Sequence, residues 1–398
     1  MSWSTVELGD VAAFVRGVTF KPENVAPPDG DGTVACMRTK NVQEQLDTTD
    51  LWGIPRSLIK RSEQYLMAGD TLVSSANSWN LVGKCCWVPE LNAPATFGGF
   101  VSVLRADDEQ LEPRYLFRWF SSPMVQQLLR SFGRKTTSIS NLDLAQCRKL
   151  SIPLPPIDEQ RRIARVLDSA DALRAKRGVT CHLLRGLRGA ALASVIARSD
   201  RAEERPLGSL ADVQGGLQVM KARASRPREV PYLRVANVHR GRLDLSVVKS
   251  LRVTDAEERR CALRINDLLV VEGHGNAAEI GRAARWDGSI PACVHQNHLI
   301  RARCDPDILL PMFAEAYINS STGRRHLLRA AKTTSGLNTI TVGDVRKVPI
   351  VVPPMALQHA FAQSVAAIEK AERRASRHLA TLDALFASLE HRAFTGAL

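Results

Sequence analysis

The chain has 398 residues, 44% of them hydrophobic and 24% charged, the balance of a folded protein long enough for two domains plus connecting elements. Lys and Arg total 54 against 41 Asp and Glu, and the formal charge of +13 suits a polyanionic partner such as nucleic acid. No window approaches 18 uncharged apolar residues, which excludes a membrane-spanning helix, and the first ten residues do not read as a secretion signal, so a cytoplasmic location and no membrane partner are expected.

In chain order, Leu8-Gly9 opens a series that returns after about 198 residues as Leu207-Gly208. Met37 to Val42 meets Leu233 to Val238, Asp70-Thr71-Leu72-Val73 meets Asp267-Leu268-Leu269-Val270, and Gly83-Lys84 meets Gly281-Arg282. Lys135-Thr136-Thr137-Ser138 recurs identically as Lys332-Thr333-Thr334-Ser335. It is followed, 13 residues on in the first copy and 14 in the second, by Arg148-Lys149 and Arg346-Lys347, and seven residues further in both by Pro155-Pro156 and Pro353-Pro354. Order and approximate spacing are kept, so the chain is written twice. Ahead of each Pro-Pro pair, short apolar runs such as Val101 to Leu104, Leu268 to Val271 and Val348 to Val352 alternate with Gly, Asn, Ser and Pro. This texture predicts short strands with long loops in a mixed α and β domain.

After each pair the texture changes. Ile157 to Val195 and Met355 to Ala393 contain no proline and are rich in Ala, Leu, Arg and Glu. Each predicts one helix of roughly 40 residues, about 60 Å long. The second carries a seam at Phe361, Val365, Ile368, Glu372, Ala375, Leu379, Leu382, Phe386, Leu389 and Ala393, spaced alternately four and three as in a coiled coil. Equivalent positions of the first are Ile163, Leu167, Ala170, Arg174, Arg177, Cys181, Leu184, Arg188, Ala191 and Val195. Leu173 and Leu187 are expected to stand in for the interrupting arginines. A seam this long needs a partner, and the other helix is the nearest. The expected fold is α+β: two similar domains joined by two long antiparallel coiled-coil helices, an internal pseudo-twofold repeat. Two heads on a spacer would touch duplex DNA at two places.

Phosphate contacts need cations and small donors on loops, and base readout needs Arg, Lys, Asn, Gln or His at base edges. Three loops per head fit that description. The first holds Arg38, Lys40 and Asn41, matched by Arg234, Asn237 and His239. The second holds Ser75, Asn77, Trp79, Asn80 and, at its end, Lys84, matched by Glu272, His274 and Asn276. The third holds Arg134, Lys135, Thr136, Thr137 and Ser138, matched by Lys332, Thr333, Thr334 and Ser335. The third is identical between heads, as suits a shared phosphate contact, while the second differs, as suits base reading.

Catalytic motifs are missing. The Pro-Pro pairs lack the polar and aromatic flanks of an amino-methyltransferase, no Lys has Asp or Glu two residues before it as in metal-dependent nucleases, and Gly83-Lys84 is not a P-loop. Among eight scattered cysteines there is no C-x-x-C, so they read as reduced thiols rather than a disulfide frame or zinc site. Cys293 to His298 reads as strand and loop, not as a metal site. An enzyme with an unfamiliar site, a reader of single-stranded nucleic acid and a plain coiled-coil scaffold remain as alternatives. Aromatic content of only 5% argues against the second.

The early Leu-Gly, the Arg38 to Val42 run, Gly69-Asp70-Thr71-Leu72-Val73 leading to Gly83-Lys84, and Ile152-Pro153-Leu154-Pro155-Pro156-Ile157-Asp158-Glu159-Gln160-Arg161-Arg162-Ile163-Ala164 together resemble the specificity subunits of type I restriction-modification systems. The second copy keeps Pro353, Pro354 and Gln358 but has Leu357 where Glu159 stands. The resemblance implies target-recognition domains at 1–156 and 199–354 and spacer helices at 157–198 and 355–398. It also implies that each domain reads half of a split target, that two methyltransferase (M) subunits on the helices methylate adenine, and that restriction/translocase (R) subunits cleave. S-adenosylmethionine is then expected on the methyltransferase, with no cofactor, metal or catalytic residue in this chain.

Overall fold

A computed structural model describes residues 3–135, 140–199, 203–334 and 337–398. The chain divides into two compact units, Met1–Arg177 with His378–Leu398, and Gly178–Arg377. Each is a mixed α and β head together with parts of both long helices.

In the first unit, a four-stranded antiparallel sheet has the order Ala12–Arg16, Val101–Ala106, Thr71–Ser74, Cys85–Trp87. Thr71–Ser74 is buried throughout, because both faces of the sheet are covered. The two-residue period of a strand sends Val73 and Leu104 into one core, with the helix Pro113–Phe120, and Leu72 and Val103 into the other. That second core lies toward a three-stranded sheet ordered Trp52–Pro55, Thr33–Met37, Ala95–Phe97. Thr5–Glu7 pairs with Ser151–Pro153, bringing the start of the head beside the start of the long helix.

The second unit repeats this plan. Its four-stranded sheet is Ala211–Gly215, Leu299–Cys304, Leu268–Val271, Ala283–Arg285, and its three-stranded sheet is Lys249–Val253, Arg228–Leu233, Val294–His295. Leu268 and Val270 face one core, Leu269 and Val271 the other. The same buried ion pair braces both sheets: Arg105 grips Asp70, and Arg303 grips Asp267, through two hydrogen bonds of 2.7 Å each. Those bonds raise both guanidinium pKa values, against the opposing effect of burial. Gly83 and Gly281, matched in the repeat, take φ of +82° and +68°, where a side chain would be strained.

The long helices span Ile157–Ala197 and Met355–Thr395. In the first unit Ile163, Leu167 and Ala393 are buried and Phe386 and Leu389 pack on them. Arg162 reaches the Leu398 carbonyl at 3.1 Å and Arg174 reaches Asp383 at 2.8 Å, so the two helices run antiparallel there. In the second unit Leu192, Val195, Phe361 and Val365 share a core. The expectation for Leu173 and Leu187 fails: they are 56% and 49% exposed. Arg174 and Arg188 instead keep their seam positions by meeting acids, Asp383 for Arg174 and Glu372 for Arg188. An arginine stem covers apolar surface while its head is neutralised, so no leucine is needed. No helix of the described residues is long and apolar enough to cross a membrane.

Candidate nucleic-acid interface

The first loop of each head is a short turn held from within. Asn41 is fully buried, its Oδ1 accepting from the Arg38 N–H at 2.8 Å and its Nδ2 donating to the Asp47 and Asp50 carbonyls at 2.8 and 3.1 Å. Asn237 does the same with the Arg234 N–H and the Asp244 and Val247 carbonyls. Both were expected on the DNA-facing surface; each is a strut whose polar atoms are already engaged, because a loop this tight must satisfy its own backbone. Arg38 is half-buried, stacked 3.8 Å over the Trp52 ring and bonded to the Asp50 carbonyl. Exposed Lys40 pairs with the Asp50 carboxylate, and that hydrogen bond, first among several causes, holds the Asp50 pKa low. His239 sits half-buried in a hairpin with Arg242.

The second and third loops meet on a small sheet ordered Gly133–Lys135, Ser140–Leu142, Ala76–Asn77, repeated as Lys332–Thr334, Leu337–Thr339, Gly273–His274. Arg134, Lys135, Thr333 and Thr334 therefore lie on strands beside the second loop, and Lys332 is exposed there. Thr136, Thr137, Ser138 and Ser335 lie outside the described residues. Ser75 is half-buried, and the Asn77 amide donates to the Ser74 hydroxyl at 3.1 Å; Trp79 and Asn80 are exposed. In the other head the His274 Nδ1 accepts from the Asn276 N–H at 3.0 Å, and the exposed Asn276 caps a short turn.

The first loop is tied to the second from both sides of the repeat. Lys84 donates to Gln43 at 2.6 Å, and Arg282, at the matching position, donates to the Val235 carbonyl at 3.0 Å. Arg240 and Arg324 both reach the Ala278 carbonyl. Much of the positive charge is thus structural. Arg118, Arg223, Arg282 and Arg301 are all buried, and burial drives the Arg223 and Arg301 pKa values down.

Phe100 and His298 were missed, although the repeat register sets them opposite one another. The Phe100 carbonyl accepts from the Ser75 and Ala76 N–H groups at 3.0 and 3.1 Å, and the His298 carbonyl from Glu272 at 3.0 Å. Phe100 is 64% exposed, while the His298 ring lies 3.4 Å from the Glu272 carboxylate. Burial raises the Glu272 pKa against the opposing pull of His298. Both positions adjoin the second loop but differ in chemistry. His295 is unrelated to a surface site: it is fully buried, 3.2 Å from the Cys261 carbonyl, and burial lowers its pKa to about 4. The cysteines are free thiols, and burial pushes those of Cys36, Cys147 and Cys293 up to about 12.

Residues 1–177 match the family described as type I restriction modification DNA specificity domain. The whole chain is 27% identical to the type I restriction enzyme EcoKI specificity subunit of Escherichia coli strain K12, and 25% identical to the StySPI specificity subunit of Salmonella potsdam. It spans 89% of each. The chain is thus similar along its whole length to the specificity subunits of type I restriction-modification systems. Its fold is similar to the crystal structure of the type I system S subunit from M. genitalium, with a TM-score of 0.58 and 14% identity over 99% of this chain and 96% of that one.

In this chain the Pro-Pro segment has a mechanical role. Gln160, fully buried, accepts from the Glu112 N–H at 2.9 Å and donates to the Gln110 and Pro155 carbonyls at 3.0 and 2.9 Å, clamping the helix start to its head. Gln358 makes the matching bonds to Leu310, Ile308 and Pro353. Glu159 only pairs with Arg162 on the surface, which is why Leu357 can replace it while the glutamine recurs.

Proposed function

We propose that this specificity subunit reads double-stranded DNA at two half-sites, with 1–156 and 199–354 as target-recognition domains and 157–198 and 355–398 as an antiparallel coiled-coil spacer in a pseudo-twofold repeat. The chain is non-catalytic, and recognition is its task. The observation that carries the reading is the second loop, held in both heads by one shared backbone plan yet furnished with different exposed side chains. A common frame with different tips is what two half-sites of different sequence require. Two methyltransferase subunits on the helices supply adenine methylation from bound S-adenosylmethionine, restriction/translocase subunits supply cleavage, and the assembly works in the cytoplasm. Among the described loop residues, Lys40, Trp79, Asn80, Asn276 and Lys332 are exposed and are the proposed DNA contacts. Ser75, Asn77, Lys84, Arg234, His239 and His274 lie behind or between them.

The test is methylation sequencing of DNA from cells carrying the methyltransferase subunit with and without this chain. Methyl-adenine at one split motif, present only with the chain, is expected. Methylation that is unchanged by deletion removes the recognition role.

A further inference from the structure

Within the second unit the helix segments and the head enclose a cavity of about 1140 Å³, whose lining includes six arginines and two glutamates. Arg185 and Arg188 come from the first long helix, Arg373 and Arg377 from the second, and Arg240 and Arg242 from the turn after the first loop. The carboxylates are already engaged, Glu315 by Arg285 at 2.9 Å and Glu372 by Arg188. Arg185 and Arg242 are exposed and make no salt bridge among the described residues. Burial, and then the nearby Arg324, push the Arg240 pKa down, with Glu279 opposing them. Leu192, Val365 and Met312 add an apolar floor.

The first unit furnishes the equivalent positions differently. By the repeat register Asp383 stands for Arg185, Phe386 for Arg188, Glu390 for Leu192 and Arg118 for Ala316. There the charges close on themselves, with Arg118 bonded to Asp168 and Asp171 and Arg174 to Asp171 and Asp383. Arg188 and Arg373 also meet Glu369, but the lining of the second unit keeps the guanidinium forks of Arg185 and Arg242 without a carboxylate among the described residues, and it holds no lysine. Their planar donors match the oxygens of phosphate in pairs.

We propose that the arginine-lined cavity of the second unit binds phosphate groups, carried either by a small phosphate ester or by the backbone of bound DNA. The backbone source rests on the DNA-reading function above; the small-molecule source does not. The full chain, purified with its methyltransferase partner, is titrated calorimetrically with inorganic pyrophosphate and compared with the double variant Arg185→Ala, Arg242→Ala. Neither residue braces the fold, so an unchanged melting temperature is the control. Saturable binding at one site per chain, weakened at least about tenfold in the variant, is expected for two lost charge-assisted contacts.

DNA affinity measured across salt concentrations separates the sources. A log–log slope smaller by about 2 in the variant assigns the site to backbone phosphates. An unchanged slope with weakened pyrophosphate binding assigns it to a small phosphate ester. No pyrophosphate binding together with an unchanged slope overturns the proposal. Loss of the methyltransferase partner with neither phosphate readout altered also overturns it, and gives the cavity to a protein's carboxylates instead. Motif-specific methylation persisting through either failure leaves the recognition role standing.

Discussion

The places where the long helices meet each head share a backbone plan and have opposite electrostatics. In the first unit the head supplies the cations, Arg114 and Arg118, and the helix supplies Asp168 and Asp171. Burial works to raise the Asp168 pKa, but hydrogen bonds from both arginines together outweigh it and hold the carboxyl low. In the second unit Met312 and Ala316 occupy those head positions, and four of the six cavity arginines are on the helices. A duplicated fold therefore constrains where side chains sit, not which sign they carry. One junction becomes a closed salt-bridge network and the other an open basic cavity.

The largest test of this comparison concerns what the units share. Gln160→Leu and Gln358→Leu should each cost about 3 kcal/mol, since each strands one buried N–H and two carbonyls. Denaturant unfolding that finds one harmless would show the clamps are not equivalent. Next, Arg118→Ala should cost about 2 kcal/mol by leaving Asp168 and Asp171 without their nearly buried partner, whereas Arg185→Ala should leave stability unchanged. Equal losses would erase the contrast between a closed and an open junction.

At the reading position, Phe100→Ala should weaken discrimination at one base of one half-site by about 1 kcal/mol, the range of an apolar contact to a thymine methyl, and His298→Ala should act only on the other half-site. Methylation assays on singly substituted targets check both; changes at the same half-site would break the assignment of one head to each. The smallest effect is pH-dependent. Burial raises Glu390 from its ordinary 4.5 to about 7, against the pull of Arg118 and Arg174 and with Asp171 adding to the rise. The folded state then holds a proton that the unfolded chain releases, so stability declines as pH rises from about 4.5 through 7. Glu390→Gln should raise the melting temperature at pH 8 and leave it unchanged near pH 4; equal effects at both pH values would remove the cause.

The repeat was legible because it is a matter of spacing, and spacing survives side-chain divergence. The helices were legible because 39-residue stretches without proline, such as 157–195, leave little else to form. The seam positions followed from periodicity. What periodicity cannot tell is whether a seam arginine finds an acid across the interface, and so Leu173 and Leu187 were wrongly expected to replace Arg174 and Arg188. Asn41 and Asn237 have the residue type of a base reader. Their burial depends on carbonyls six to ten residues further on turning back toward them, a consequence of loop closure with no local signature. Phe100, which follows Gly98 and Gly99, has no polar group to mark it in the sequence; only the backbone bonds to Ser75 and Ala76 bring it beside the reading loop.

The seam arginines also bear on alignment. A run of leucines is nearly indifferent to sliding by one heptad, because each residue finds a similar hole seven places on. Arg174 with Asp383, and Arg188 with Glu372, are not indifferent: a slip parts each half-buried charge from its partner and leaves it poorly solvated. The two ion pairs act as detents, giving up some packing energy to make a single alignment of the helices cheaper than its neighbours.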